Sequence, residues 1–112
     1  MTSRFTELAV DCRDPEALAR FWCAVLDWRV NESEPGLVEI AGDEPGPTIV
    51  FAEVPEPKTV KNRIHWDVLV DSLHLVQQLT EEGATLLRAP DDEIGWTVMA
   101  DPEGNEFCAF VR

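Results

Sequence analysis

The residues with chemistry to offer are Glu7 in "RFTELAVDC", His65 and Asp67 in "RIHWDVLVDS", and Cys108 in "ADPEGNEFCAFVR". Carboxylate, imidazole and thiolate all ligate divalent metals, and His and Glu also move protons. Each lies in a short run that alternates apolar and polar side chains, the period of a strand with one buried face. Asp67 is two residues from His65 and faces the same way, but two rises of strand separate their Cα atoms by ~6.5–7 Å, so the pair need not touch. Asp67 therefore reads as a solvated or salt-bridged rim group before it reads as the partner of a catalytic histidine. No local metal motif such as H-E-x-x-H is present. Two readings stay open for His65, ligand or general base against hydrogen-bonded histidine in a cleft, and two for Cys108, ligand against small buried hydrophobe.

The elements that must position these groups follow from periodicity. In "RDPEALARFWCAVLDW" the residues Leu18, Phe21, Trp22, Val25 and Leu26 recur at helical spacing, with Asp14 as N-cap, Pro15 in the first turn and Glu16 at the positive end of the dipole. A second helix follows Ser72, with Leu75, Val76 and Leu79 on one stripe and Gly83 as its stop. Strands precede both helices, over about residues 4–12 and 63–70. Later strands read at about 29–31, 37–41 and 48–54, then at 84–88, 95–100 and 106–111.

The two cap positions lie 72 − 14 = 58 residues apart, and the same shift sets Glu7 against His65, Gly46 against Gly104 and Val50 against Cys108. The chain is thus a duplication in pattern, two tandem βαβββ modules in an α+β fold. Module 1 covers about 1–54 and module 2 about 63–112. The proline-rich stretch 55–62 links them within one domain, since Pro55 and Pro57 cannot continue a central ladder. Helix packing requires one apolar sheet face, supplied by Leu8, Val10, Ile64, Trp66, Val68, Phe107, Ala109 and Val111. Glu7, Ala9, Asp11, His65, Asp67, Leu69, Glu106, Cys108 and Phe110 take the other face, free to line a cavity. Trp22, Trp28, Trp66 and Trp96 are core candidates, and Trp96, beside Gly95, is also placed to wall a ligand. "DPEGN" has neither the length nor the spacing of a calcium loop and reads as a hairpin turn.

Composition excludes several classes. The 22 acidic against 9 basic residues give a net charge of −13, which repels phosphate backbones and anionic membranes and reads either as an acidic surface that keeps the protein in solution or as attraction for a cationic ligand. No run of ~20 apolar residues and no leader-like apolar core are present, so the expected location is cytoplasmic. Three cysteines without C-x-x-C spacing give neither a disulfide framework nor a zinc knuckle.

Through "DPEALARFWCAVLDW", "RIHWDVLVDSL", "EEGATLL" and "ADPEGNEFCAFV" the sequence resembles the vicinal oxygen chelate superfamily of glyoxalase I, bleomycin-resistance proteins and extradiol dioxygenases, nearest its small bacterial glyoxalase-like members. The resemblance implies a concave, partly open barrel-like sheet with the helices outside, a small-molecule site and a homodimer. In metal-binding members a His or Glu on the first strand, a His on the fifth and a Glu on the eighth hold a divalent ion, with a further ligand sometimes on the fourth. By position these are Glu7, His65, Cys108 and Val50. Cys108 departs from the expected Glu, and Val50 cannot ligate. Two functions follow from the resemblance. One is a metal-assisted lyase, isomerase or dioxygenase with Glu7 and His65 catalytic, Glu7, His65 and Cys108 around one Zn, Ni, Fe or Mn ion, and Asp67, Trp96, Phe110 and Cys108 against the substrate. The other is a metal-free protein that sequesters a small molecule, as bleomycin-resistance relatives do.

Overall fold

The computed structural model describes residues 1–111; Arg112 and the side chain of Leu73 lie outside the described residues. The chain makes two compact units, Met1–Pro57 and a second beginning at Lys58, each α+β with the order strand, helix, strand, strand, strand.

The first unit comprises β1 (Glu7–Cys12), α1 (Pro15–Leu26), β2 (Arg29–Glu34), β3 (Leu37–Ala41) and β4 (Thr48–Glu53). Its sheet runs β1-β4-β3-β2, with β1 parallel to β4. Asp14 caps α1, its Oδ1 accepting from the Ala17 N–H at 3.1 Å, and Pro15 occupies a first-turn position that has no amide bond to lose. The helix ends at Asp27 in the left-handed region (φ 56°), which Asp tolerates better than most residues. Leu18, Phe21 and Trp22 are buried, and α1 packs on β3 and β4. There Val38 lies opposite Phe51 and Ile40 opposite Ile49, so all four share the buried face. Register places Glu7, Ala9 and Asp11 beside Thr48, Val50 and Ala52 on the other face.

The second unit comprises β5 (Trp66–Val70), α2 (Leu73–Glu81), β6 (Thr85–Arg88), β7 (Thr97–Ala100) and β8 (Glu106–Val111), in the order β5-β8-β7-β6. A shift of 58 maps β4 onto β8 and the pair Leu8–Ile49 onto Trp66–Phe107. Irregular register recurs too, between Val30 and Glu32 on β2 and between Leu86 and Arg88 on β6. The duplication therefore extends to strand pairing, while the irregularity falls after Val30 in the first unit and before its equivalent, Arg88, in the second. The helix-bearing face holds buried Val70, Met99, Phe107 and Ala109, with Leu79 of α2 and the following Ala84 also buried.

Several bounds differ from the sequence-based expectation. β5 begins at Trp66, not Arg63, because Trp66 is opposite Phe107, near the start of β8, and residues 63–65 have no ladder partner. Ile64 is accordingly 74% exposed rather than packed on the helix side, and Val111 is also exposed. Side chains tie down the lead-in instead: the Lys58 Nζ donates to Glu106 Oε2 at 2.8 Å and the Asn62 N–H to Glu106 Oε1 at 2.7 Å. β1 starts at Glu7, opposite Thr48 at the head of β4, and leaves Phe5 exposed. β7 starts at Thr97, with Gly95 and Trp96 in the preceding bend, while β2 runs on to Glu34. Ser72 holds the N-cap position of α2, but its hydroxyl makes no capping bond.

The "DPEGN" turn is knitted by one carboxylate. Buried Asp101 accepts from the N–H groups of Glu103 (2.9 Å) and Asn105 (3.0 Å) and from Asn105 Nδ2, while Gly104 takes φ 88°. This Asx-type arrangement fixes where β7 turns into β8. Among the described residues no helix is long and apolar enough to cross a membrane.

Candidate functional site

The second unit's open face is built by two adjacent strands and a bend. Asp67 on β5 is the register partner of Cys108 on β8, and Leu69 that of Phe110. Cys108 in turn pairs with Val98 on β7. Because side chains alternate along a strand, Asp67, Leu69, Val98, Cys108 and Phe110 all leave the same side of the sheet.

His65 stands one residue before β5, and its ring folds along the strand so that Nε2 lies 3.4 Å from Asp67 Oδ1. The two do meet, although their backbone positions alone do not require it. Donor atoms of His65, Asp67 and Cys108 lie within 4.8 Å of one another, with the first two residues exposed and the thiol buried. Ligands around a tetrahedral zinc-type ion at ~2.0–2.3 Å stand roughly 3.3–3.6 Å apart, so small side-chain rotations would close this set on one ion. Imidazole, carboxylate and thiolate are a chemically suitable donor set for such an ion.

Cys108 is 8% exposed. Burial pushes its thiol above the usual cysteine range and the Asp67 carboxylate adds to this, while Lys61 and a hydrogen bond with Trp96 act in the opposite direction. Trp96 also stacks on Phe110, ring centroids 5.5 Å apart and planes tilted by 31°. An indole, a phenyl ring and the 60% exposed Leu69 thus flank the polar cluster, an apolar wall beside a few convergent polar groups, as small-molecule sites require.

Other sequence-derived candidates are placed differently. Glu7 is exposed on β1 in the first unit, opposite Thr48. Val50, the fourth-strand position, is buried. Glu106 shares the face of Cys108 but is engaged by Lys58 and Asn62; burial raises its carboxyl, and these bonds outweigh it, holding the group below its ordinary value. Two charged groups escaped the sequence reading. Lys61 acts on Cys108 from the segment before β5. Glu39, on the same face as Glu7, accepts from Asn31 Nδ2 (2.6 Å) and Thr48 Oγ1 (3.2 Å). Only the strand alternation of "LVEIA" pointed to Glu39.

A glyoxalase-like domain model matches residues 7–110. The chain belongs to that family. Its solved neighbours lie in the glyoxalase, bleomycin resistance and dioxygenase (vicinal oxygen chelate) superfamily. The glyoxalase-like chain is similar to the fosfomycin resistance protein FosX of Mesorhizobium loti, at 13% identity and TM-score 0.75 over 100% of this chain and 94% of that one. FosX of Listeria monocytogenes, crystallised as a mutant with Mn(II) and 1S,2S-dihydroxypropylphosphonic acid, gives 12% and 0.74 over 98% and 90%. A glyoxalase/bleomycin resistance protein/dioxygenase family enzyme from Burkholderia phytofirmans gives 22% and 0.72 over 96% and 97%. At these identities the likeness is one of fold. Comparison with curated proteins found no match.

Proposed function

We propose that this glyoxalase-like chain acts on a small molecule at the β5–β8–β7 face, with one divalent ion held by His65 and Cys108 and the substrate's apolar part against Trp96 and Phe110. The observation that carries this reading is the convergence of imidazole, carboxylate and thiol donors on one face, within 4.8 Å. When bound, the ion would supply Lewis acidity toward a substrate oxygen. His65 and Cys108 orient it, the rings exclude water from one flank, and a carboxylate moves the proton. Glu7 enters as that carboxylate through the family resemblance. The reaction class in this reading is a lyase, isomerase or dioxygenase step, carried out by a homodimer.

A metal-free binding protein of the bleomycin-resistance type is the second reading. The buried Cys108, held toward its protonated form by burial, favours it, because a neutral thiol hydrogen-bonded to Trp96 and the paired rings of Trp96 and Phe110 suit an uncharged or cationic ligand. Elemental analysis of the purified protein and of His65→Ala, after dialysis against excess divalent ions, separates the two. About one equivalent in the parent and a loss in the variant supports the metal reading. No bound ion in either, with ligand binding intact, supports the second.

A further inference from the structure

The duplication reveals an asymmetry in donor chemistry. A shift of 58 carries Asp67 onto Ala9 and Cys108 onto Val50, and in both units these two positions are direct register partners across a parallel strand pair. The first unit therefore has only Glu7 where the second has His65, and has two apolar side chains where the second has a carboxylate facing a thiol. Asp67 and its cross-strand partner Cys108 are held by a single hydrogen-bonded strand pair, and His65 stands one residue before it. Nothing outside the second unit is needed to bring them together. His65 Nε2 and Asp67 Oδ1 are already at 3.4 Å, close to the separation of neighbouring ligands on one ion.

We propose that Asp67 is the third protein ligand and that the site is a thiolate centre of the N/O/S type, with Cys108 sulfur selecting zinc-like ions over manganese. This rests on the metal reading above and deepens it. Sulfur is a soft donor, favouring zinc and cobalt, whereas manganese prefers oxygen and nitrogen sets. Three protein ligands leave a coordination position open, the feature that separates a catalytic from a closed structural site. Glu7 is then left free of the ion.

Cobalt(II) titration of the whole chain tests this, because a cobalt–thiolate bond gives a strong near-ultraviolet charge-transfer absorption that oxygen and nitrogen ligands do not. The expected result is one equivalent of cobalt with that absorption. Cys108→Ser should abolish the band and, in equilibrium dialysis, lower the zinc-over-manganese preference by about 10- to 100-fold or more, the scale at which even outer-shell changes act. Asp67→Asn should weaken zinc binding by at least about tenfold, while Glu7→Gln changes it less than about twofold; circular dichroism confirms that each variant is folded. Cobalt bound without the band, or Glu7→Gln costing more than Asp67→Asn, overturns this inference and leaves the metal reading standing. If the parent protein binds neither zinc nor cobalt, both fail. The parent spectrum alone decides the sulfur claim should a variant not fold.

Discussion

Replacing Asp101 by Ala should be among the costliest single changes at the surface end of the second unit. The residue is 3% exposed, and its carboxylate accepts from three separate donors, Glu103 N–H, Asn105 N–H and Asn105 Nδ2, at 2.9 to 3.1 Å. A hydrogen bond to a charged acceptor contributes about 1.5–3 kcal/mol. The turn borders solvent, so water recovers part of the loss, and about 3 kcal/mol in total is the working figure. For a chain of this size about 4 °C of melting temperature corresponds to 1 kcal/mol, so Asp101→Ala should melt about 12 °C lower. Asp101→Asn keeps one acceptor oxygen and loses the charge, and should fall roughly midway. Thermal unfolding followed by circular dichroism, with urea titration as a check, measures both. A shift below about 4 °C for Asp101→Ala would refute the claim that this carboxylate organises the β7–β8 turn.

Other predictions follow from local geometry. Asp14→Ala should cost about 1 kcal/mol by removing the α1 cap bond, whereas Ser72→Ala, whose hydroxyl caps nothing, should be nearly neutral in the same denaturant assay. Gly42→Ala would bring a Cβ to 2.7 Å from Trp28 Nε1 and force the indole aside, costing about 1–3 kcal/mol, while Gly95→Ala meets nothing within 4 Å and should change stability by less than about 0.5 kcal/mol. Asp91 is held down to about 2, first by the Arg88 side chain and then by the N–H groups of Ile94 and Glu93. Its folded value being depressed, the stabilisation is present above its ordinary 3.8 and is lost as pH falls toward 2. The Glu93 and Ile94 amide resonances should therefore titrate with a midpoint near 2; a midpoint near 4 would disprove the bonded arrangement.

Local pattern conveyed much of this molecule. The cap at Asp14, the stripe Leu18–Phe21–Trp22 and the strand 106–111 all depend on short-range periodicity and appear where the sequence puts them. The 58-residue shift also carried long-range information, because two copies of one module must pair their strands alike, and the Leu8–Ile49 and Trp66–Phe107 registers do. What failed was the N-terminal reach of β1 and β5. Alternation continues through Arg63 and Ile64, but a strand needs a partner, and β8 offers Trp66 its first one at Phe107. The closeness of His65 and Asp67 was equally hidden: Cα spacing along an ideal strand overstates the separation when one residue lies outside the ladder and its ring can turn along the chain. Asp101 illustrates a third limit, since "DPEGN" announces a turn but not that the aspartate's own carboxylate is buried within it.

The most direct test of the central claim is anomalous diffraction at the zinc edge from crystals of the protein equilibrated with zinc. One strong peak is expected within ~2.0–2.3 Å of both His65 Nε2 and Cys108 Sγ, next to Asp67. A peak elsewhere on the chain, or none at saturating zinc, would contradict it.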